Sequence, residues 1–217
     1  MRLPGPIGIY ALLDAGLLPP DELPAAAGEM AAAGVRVFQV RAKSLPAGDL
    51  LGLTRAVRAA LPADAVVVVD DRADVAAAAG ADGVHLGDED LAAEDARRCV
   101  GPAAIVGLST HGLDDVRAAA GLPIDYIGFG PVFASTTKVT GRRLLGLDGV
   151  RAAARLATVP VVAIGGVSIA EVRALAAAGA SGVAMAAALL KPGAIRTAAT
   201  EAVHAFAAGR LDLEATP

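Results

Sequence analysis

Tryptophan is absent from this chain, cysteine occurs once, and aromatic residues make up only 3% of its 217 positions. Each scarcity removes a class of function. A lone cysteine, Cys99, rules out an intrachain disulfide and a cysteine-rich metal centre. Its place late in a predicted helix suggests a buried, inert thiol. So few aromatic rings cannot build a broad stacking platform for single-stranded nucleic acid. Basic residues are not in excess either: the formal net charge is −4, which argues against a general binder of nucleic acid or anionic membrane. Any anion site must therefore be local. Prolines and glycines interrupt the first residues, so no secretory signal is read there, and a cytoplasmic location is expected. The longest uncharged stretch, residues 174–190, approaches spanning length, but Gly179, Ser181 and Gly182 divide it into helix end, turn and strand. There is also no serine nucleophile elbow, no nucleotide P-loop and no zinc-ligand spacing.

What the chain does have is a repeated junction. Ala31-Ala32-Ala33-Gly34, Ala77-Ala78-Ala79-Gly80 and Ala176-Ala177-Ala178-Gly179 are each followed by a short apolar run. Alanine favours helix, and glycine supplies the left-handed residue that ends it. This is the turn from helix to strand in a repeating strand–helix unit. Strands are predicted at 7–13, 35–41, 65–70, 83–86, 104–109, 126–130, 161–165 and 182–186. Helices are predicted at 23–33, 49–60, 73–79, 92–100, 113–120, 148–157, 169–178 and 194–208. Eight alternating units in this length fit an α/β fold of the (β/α)8 TIM barrel type, with eight parallel strands and outer helices. A doubly wound open sheet is the alternative, weakened because no Gly-x-Gly-x-x-Gly follows the first strand. The whole of 1–217 reads as one barrel domain, with 1–6 and 211–217 expected to fray.

Polar chemistry gathers at the downstream ends of the strands, where a barrel would bring it to one mouth. Gln39, Arg41 and Lys43 alternate with Val40 and Ala42 and so share one strand face. A strand buried in a barrel has no solvated face on which to waste such residues. Arginine offers a planar fork to phosphate oxygens and lysine a point charge. Asp70 and Asp71 end a run of four valines, and Asp90 follows the next strand. Carboxylates so gathered repel one another unless a cation intervenes, and Mg2+ suits oxygen ligands beside a diphosphate. Helix capping is the competing explanation: Asp71 for the helix after it, Asp90 for the helix from Leu91. Ser109 ends a further strand. The loop Ser135-Thr136-Thr137-Lys138 presents hydroxyls and an amine, and Gly165-Gly166 with the turn from Ala186 into the last helix offers backbone N–H groups to a phosphate. Of the three histidines, His85 reads as a hydrogen-bonded interior residue and His204 as surface or packing. His111 lies near the mouth as a possible acid or base.

With these residues in place, the chain resembles the thiamine phosphate synthase family, in the wider group that includes thiazole tautomerases. The likeness runs from about Ile9 to Leu190. Its specific pieces are Gln39-Val40-Arg41-Ala42-Lys43, Asp82-Gly83-Val84-His85-Leu86-Gly87 with Asp90, Gly107-Leu108-Ser109, Gly130-Pro131-Val132-Phe133 leading to Thr137-Lys138, and Ala163-Ile164-Gly165-Gly166. The resemblance implies a transferase of thiamine biosynthesis that joins 4-amino-2-methyl-5-hydroxymethylpyrimidine diphosphate to a thiazole phosphate, releasing diphosphate and requiring Mg2+. By that pattern Gln39, Arg41, Lys43, Ser109 and Lys138 contact the pyrimidine diphosphate, with Arg41, Lys43 and Lys138 carrying catalysis. Asp71 and Asp90 hold the metal. Ser135, Thr137, Gly166, Ala186 and Ala187 hold the thiazole phosphate. Asp70 stands where the family usually has asparagine, Ala187 replaces a common serine, and Ser135 replaces threonine. The implied partners are small molecules, with a homo-oligomer plausible from the family and neither nucleic acid nor membrane expected. Three rivals stay open: a metal-free thiazole tautomerase using His111, a phosphate-binding regulatory barrel without catalysis, and a sugar-phosphate isomerase.

Overall fold

The computed structural model describes residues 3, 5–134 and 141–215. Strands and helices alternate as β1 (Gly8–Asp14), α1 (Leu23–Ala32), β2 (Val37–Arg41), α2 (Ala47–Ala60), β3 (Val66–Asp70), α3 (Ala73–Ala79), β4 (Gly83–Leu86) and α4 (Ala93–Val100). The second half continues with β5 (Ile105–Thr110), α5 (Leu113–Ala118), β6 (Tyr126–Phe129), α6 (Gly146–Leu156), β7 (Val161–Ile164), α7 (Ile169–Ala177), β8 (Gly182–Met185) and α8 (Ile195–Glu214). Every strand pairs in parallel with its sequence neighbours, and β8 pairs with β1 to close the barrel. The open-sheet alternative is thereby excluded.

The three alanine–glycine junctions work as anticipated. Gly34, Gly80 and Gly179 follow α1, α3 and α7 with φ of +103°, +67° and +98°. That left-handed conformation stops the helix and turns the chain into the next strand.

Strand alternation sorts the side chains into two cores. Ala11, Leu13, Phe38, Val40, Val67, Val69, Ile127 and Phe129 point outward and pack with the helices. Tyr10, Leu12, Val37, Val66, Val68, Ile105, Tyr126 and Val162 point inward and fill the barrel. The outer layer carries more of the burial: Phe38 and Phe129 are fully enclosed, and truncating such a ring to alanine costs about 3–5 kcal/mol.

Two expectations need revision. Cys99 is exposed rather than buried, because it lies at the end of α4 while Ala93 and Ala96 form that helix's buried side. And α8 does not stop near residue 208 or fray after Arg210; it runs to Glu214. Arg173 of α7 holds Asp212 through contacts of 2.8 and 3.0 Å, and Gly209 brings the two helices into backbone contact, since a Cβ there would lie 2.2 Å from the Arg173 carbonyl. Residues 174–190 are the end of α7 and β8, and among the described residues no helix is long and apolar enough to cross a membrane.

Candidate active site

The inward positions change character toward the strands' C-terminal ends. On β1 the inward phase of Tyr10 and Leu12 continues to Asp14, and on β2 that of Val37 continues through Gln39 to Arg41. Asp14 and Arg41 are register partners, and Arg41 Nη1 donates to Asp14 Oδ2 at 2.7 Å. Asp14 also accepts the Gly16 N–H at 2.9 Å, which fixes the carboxylate and through it the guanidinium. Sequence reading missed Asp14, because the predicted strand ended one residue short of it. Following the inward alternation one step further would have found it.

On β3 the valine run ends in Asp70. Gln39 Nε2 donates to Asp70 Oδ1 at 3.0 Å. The other oxygen, Oδ2, is buried and has no hydrogen-bond donor among the described residues; Arg41 Nε stands 3.5 Å away and Lys43 Nζ 3.9 Å. Burial raises the Asp70 pKa to about 7, with the Asp71 charge adding to the rise while Lys43 and Arg41 oppose it. Lys43 Nζ lies 2.8 Å from Asp71 Oδ2. Burial disfavours its charge, but the bond to Asp71 and the carboxylates around it prevail, so its pKa is raised.

Asp71 is the one non-glycine with positive φ among the described residues, at +63°. Its N–H donates to the His85 carbonyl at 2.8 Å, so the left-handed turn ties the end of β3 to β4. Neither acid caps a helix. The residue before α3 is Arg72 and before α4 is Ala92, each without a side-chain cap. Asp90 instead accepts the Gly87 N–H at 2.7 Å. Burial raises the Asp90 pKa; the Gly87 N–H opposes this, and the charge and hydrogen bond of Asp71 reinforce it. The capping explanation fails for both residues, and the two carboxylates are close neighbours.

Ser109 is the last residue but one of β5, which runs to Thr110, and is partly exposed. Beneath it lies a column the sequence did not foretell. His85 Nε2 is 3.1 Å from Ser109 Oγ, His85 Nδ1 is 2.9 Å from the Tyr126 hydroxyl, and Tyr126 is 2.8 Å from the Tyr10 hydroxyl. His85 is the hydrogen-bonded interior histidine anticipated above, and burial lowers its pKa to about 4. His111 is at the mouth, with Nδ1 donating to the Gly130 carbonyl at 2.6 Å and Nε2 3.4 Å from Asp88. His204 is exposed on α8.

The opposite side of the mouth is made of small residues. Gly166, at φ +65°, packs against the β6–α6 loop so closely that a Cβ would sit 2.2 Å from the Ala134 carbonyl and 2.5 Å from that of Phe133. Ala186 and Ala187 lie just past β8, but not at the start of the last helix. The Ala186 carbonyl accepts from Leu189 and Leu190 at 2.9 and 3.0 Å, closing a separate short turn, and α8 begins only at Ile195. Ser135, Thr137 and Lys138 lie outside the described residues.

Comparison with known proteins fits this geometry. The thiamine monophosphate synthase family model matches residues 9–189. This chain belongs to that family. A thiamine-phosphate synthase of Anaeromyxobacter dehalogenans is 43% identical over 210 residues, covering 97% of this chain and 92% of the relative. One from Myxococcus xanthus is 40% identical, covering 94% of each. Among solved structures, a thiamine phosphate pyrophosphorylase of Pyrococcus furiosus superposes with TM-score 0.85 and 31% identity over 94% of this chain and 98% of that one. A 3-hexulose-6-phosphate synthase of Salmonella typhimurium shares the barrel at TM-score 0.71, but at 16% identity the likeness is of fold alone. Thiamine monophosphate synthase family members thus account for nearly the whole chain, mouth included.

Proposed function

We propose that this mouth couples 4-amino-2-methyl-5-hydroxymethylpyrimidine diphosphate to a thiazole phosphate, giving thiamine phosphate and diphosphate. One observation carries the reading: Arg41 at the end of β2 and Lys43 just past it, held by Asp14, Asp70 and Asp71, stand on the same rim as Asp71 and Asp90. A rim with fixed cations beside paired carboxylates suits a leaving diphosphate accompanied by a divalent cation.

The donor set is compatible with Mg2+. Asp71 and Asp90 supply hard oxygens, and the pKa of Asp90, raised first by burial and further by the neighbouring Asp71, marks two acids that would accommodate each other better around a cation. Among the described residues no group of three acidic, histidine or cysteine side chains is disposed to hold a metal, so Asp71 and Asp90 would bind it as a pair, with the substrate completing the shell. When bound, the ion neutralises charge on the diphosphate.

The chain's own residues do the rest. Arg41 at the end of β2 and Lys43 two residues past it meet the diphosphate, and Lys138 adds a third cation to them. Their attraction grows as the carbon–oxygen bond breaks and charge collects on the leaving group, so they favour the transition state over the ground state. The aminopyrimidine ring spreads the positive charge left behind. Gln39 and Ser109 orient that ring. Ser135, Thr137, Gly166 and the Ala186–Ala187 turn seat the thiazole phosphate so that its ring nitrogen needs only placement. No protein nucleophile takes part. Occurrence in the cytoplasm, with small molecules as the substrates and a homo-oligomer as the assembly, belongs to the same reading.

The test is a diphosphate-release assay with the pyrimidine diphosphate, a thiazole phosphate and Mg2+. Release that depends on all three supports the assignment; no release with any thiazole form overturns it.

A further inference from the structure

The buried column under Ser109 has an order that distances alone do not display. It contains three hydroxyls and one imidazole joined by three hydrogen bonds, Tyr10–Tyr126, Tyr126–His85 Nδ1 and His85 Nε2–Ser109. Neither ring nitrogen bonds a carboxylate, and the imidazole is enclosed, so it is neutral and carries one N–H. Two ring tautomers are possible, and with the proton on Nδ1 either Tyr10 or Tyr126 is left with an O–H to place. In one, Ser109 donates to Nε2, Nδ1–H donates to Tyr126, and Tyr126 donates to Tyr10. The Tyr10 O–H must then find an acceptor. Among the described residues it has none: Tyr10 is 2% exposed and bonds only Tyr126 there; if Tyr10 donates to Tyr126 instead, the equally buried Tyr126 O–H is the one left over. In the other, Tyr10 donates to Tyr126, Tyr126 donates to Nδ1, and Nε2–H donates to Ser109 Oγ. Every buried donor is then satisfied, and the Ser109 proton is left pointing away from the column.

We infer that Tyr10, Tyr126 and His85 are positioning residues that keep the Ser109 O–H free of the column, so that Ser109 donates it to an acceptor atom of the substrate. An unsatisfied buried O–H costs enough to impose one order on the chain. The barrel is built around these rings. A Cβ at Gly107 would lie 2.1 Å from the Tyr126 ring, and one at Gly128 3.1 Å from His85 Cε1. The inference deepens the proposed function, because it says what Ser109 offers the substrate: a hydrogen-bond donor for a ring nitrogen or phosphate oxygen.

Nitrogen NMR of the full-length protein tests it directly. His85, distinguished from His111 and His204 by substitution, is expected as the Nε2–H form at neutral pH. The Nδ1–H form, or an average of the two, overturns the inference whether or not the protein couples substrates. Tyr126→Phe keeps the ring but deletes the O–H that holds Nδ1 as acceptor, so it admits the second form. It is expected to raise KM for the pyrimidine diphosphate by about tenfold, the scale of one hydrogen bond, with kcat less affected. Tyr10→Phe leaves Tyr126 still able to donate and should preserve the tautomer. Unchanged ring-nitrogen shifts and KM in Tyr126→Phe would refute the column's role even if the coupling reaction proceeds. Absence of diphosphate release by the wild type would instead refute the functional reading and leave the tautomer result standing.

Discussion

The mouth is two unlike arcs. From β1 to β5 the inward strand ends are Asp14, Arg41, Asp70, His85 and Ser109; from β6 to β8 they pass to Gly128, Gly130, Gly166 and Ala186. The first arc acts through side chains whose charges are set against one another in a partly dry environment. The second acts through what it leaves out, giving its space to backbone and to the ring of His85. A barrel closed by identical hydrogen bonding on both sides can therefore divide one site into a charged wall and a bare one. The two should respond differently to substitution.

The sharpest test removes charge from the first arc. Asp71→Ala is expected to cut turnover by at least ~100-fold, the scale of a lost transition-state contact; a near-normal coupling rate would erase the functional distinction between the arcs. Lys138→Ala, between β6 and α6 and so outside the first arc, is expected to cost as much if that amine meets the same diphosphate. The next effect is on stability. His85 has a lowered pKa, about 4, so the stability tied to its neutral form is present above about 6.5 and lost as pH falls through 4, at a cost of about 3 kcal/mol. Asp70 has a raised pKa, about 7, so the stability tied to its protonated form is present at low pH and lost as pH rises toward 7. Between about pH 4 and 6.5 the two slopes oppose each other. Asp70→Asn should expose the histidine slope and His85→Gln the carboxyl slope, read by urea unfolding across that range. Parallel profiles for wild type and both variants would contradict the charged arc described here.

On the bare arc, Gly166→Ala places a methyl against two carbonyls and should cost about 2 kcal/mol with a lowered Tm; an unchanged Tm would show that the loop yields freely. The smallest effect returns to Asp71. Relieving its left-handed conformation by Asp71→Gly should add about 1 kcal/mol of stability while abolishing turnover, a combination checked by thermal unfolding beside the diphosphate assay.

Most of the first arc was legible in the sequence, because alternation on a strand is a strict rule. Gln39, Arg41 and Lys43 revealed a shared face by spacing alone. The ends of β3, β4 and β5 announced Asp71, Asp90 and Ser109. What could not be read was pairing. Asp14 falls one residue past the predicted strand, and the register puts it opposite Arg41, while the Tyr10–Tyr126 contact joins residues 116 positions apart. The bare arc was legible only as glycines. Nothing local showed that Gly166 admits the loop backbone, or that the turn at Ala186 closes on itself before α8 begins. The extent of α8 escapes the sequence for a similar reason: the chain's last residues suggest fraying, and the pairing of Asp212 with Arg173 on α7 lies 39 positions away.

Cys99 offers a practical return on its unexpected position. As the chain's sole thiol, exposed near the end of an outer helix that runs back toward the floor of the barrel, it is a ready-made attachment handle. A fluorophore or immobilising linker placed there would report on the whole molecule from the side remote from the chemistry, with no engineered residue required.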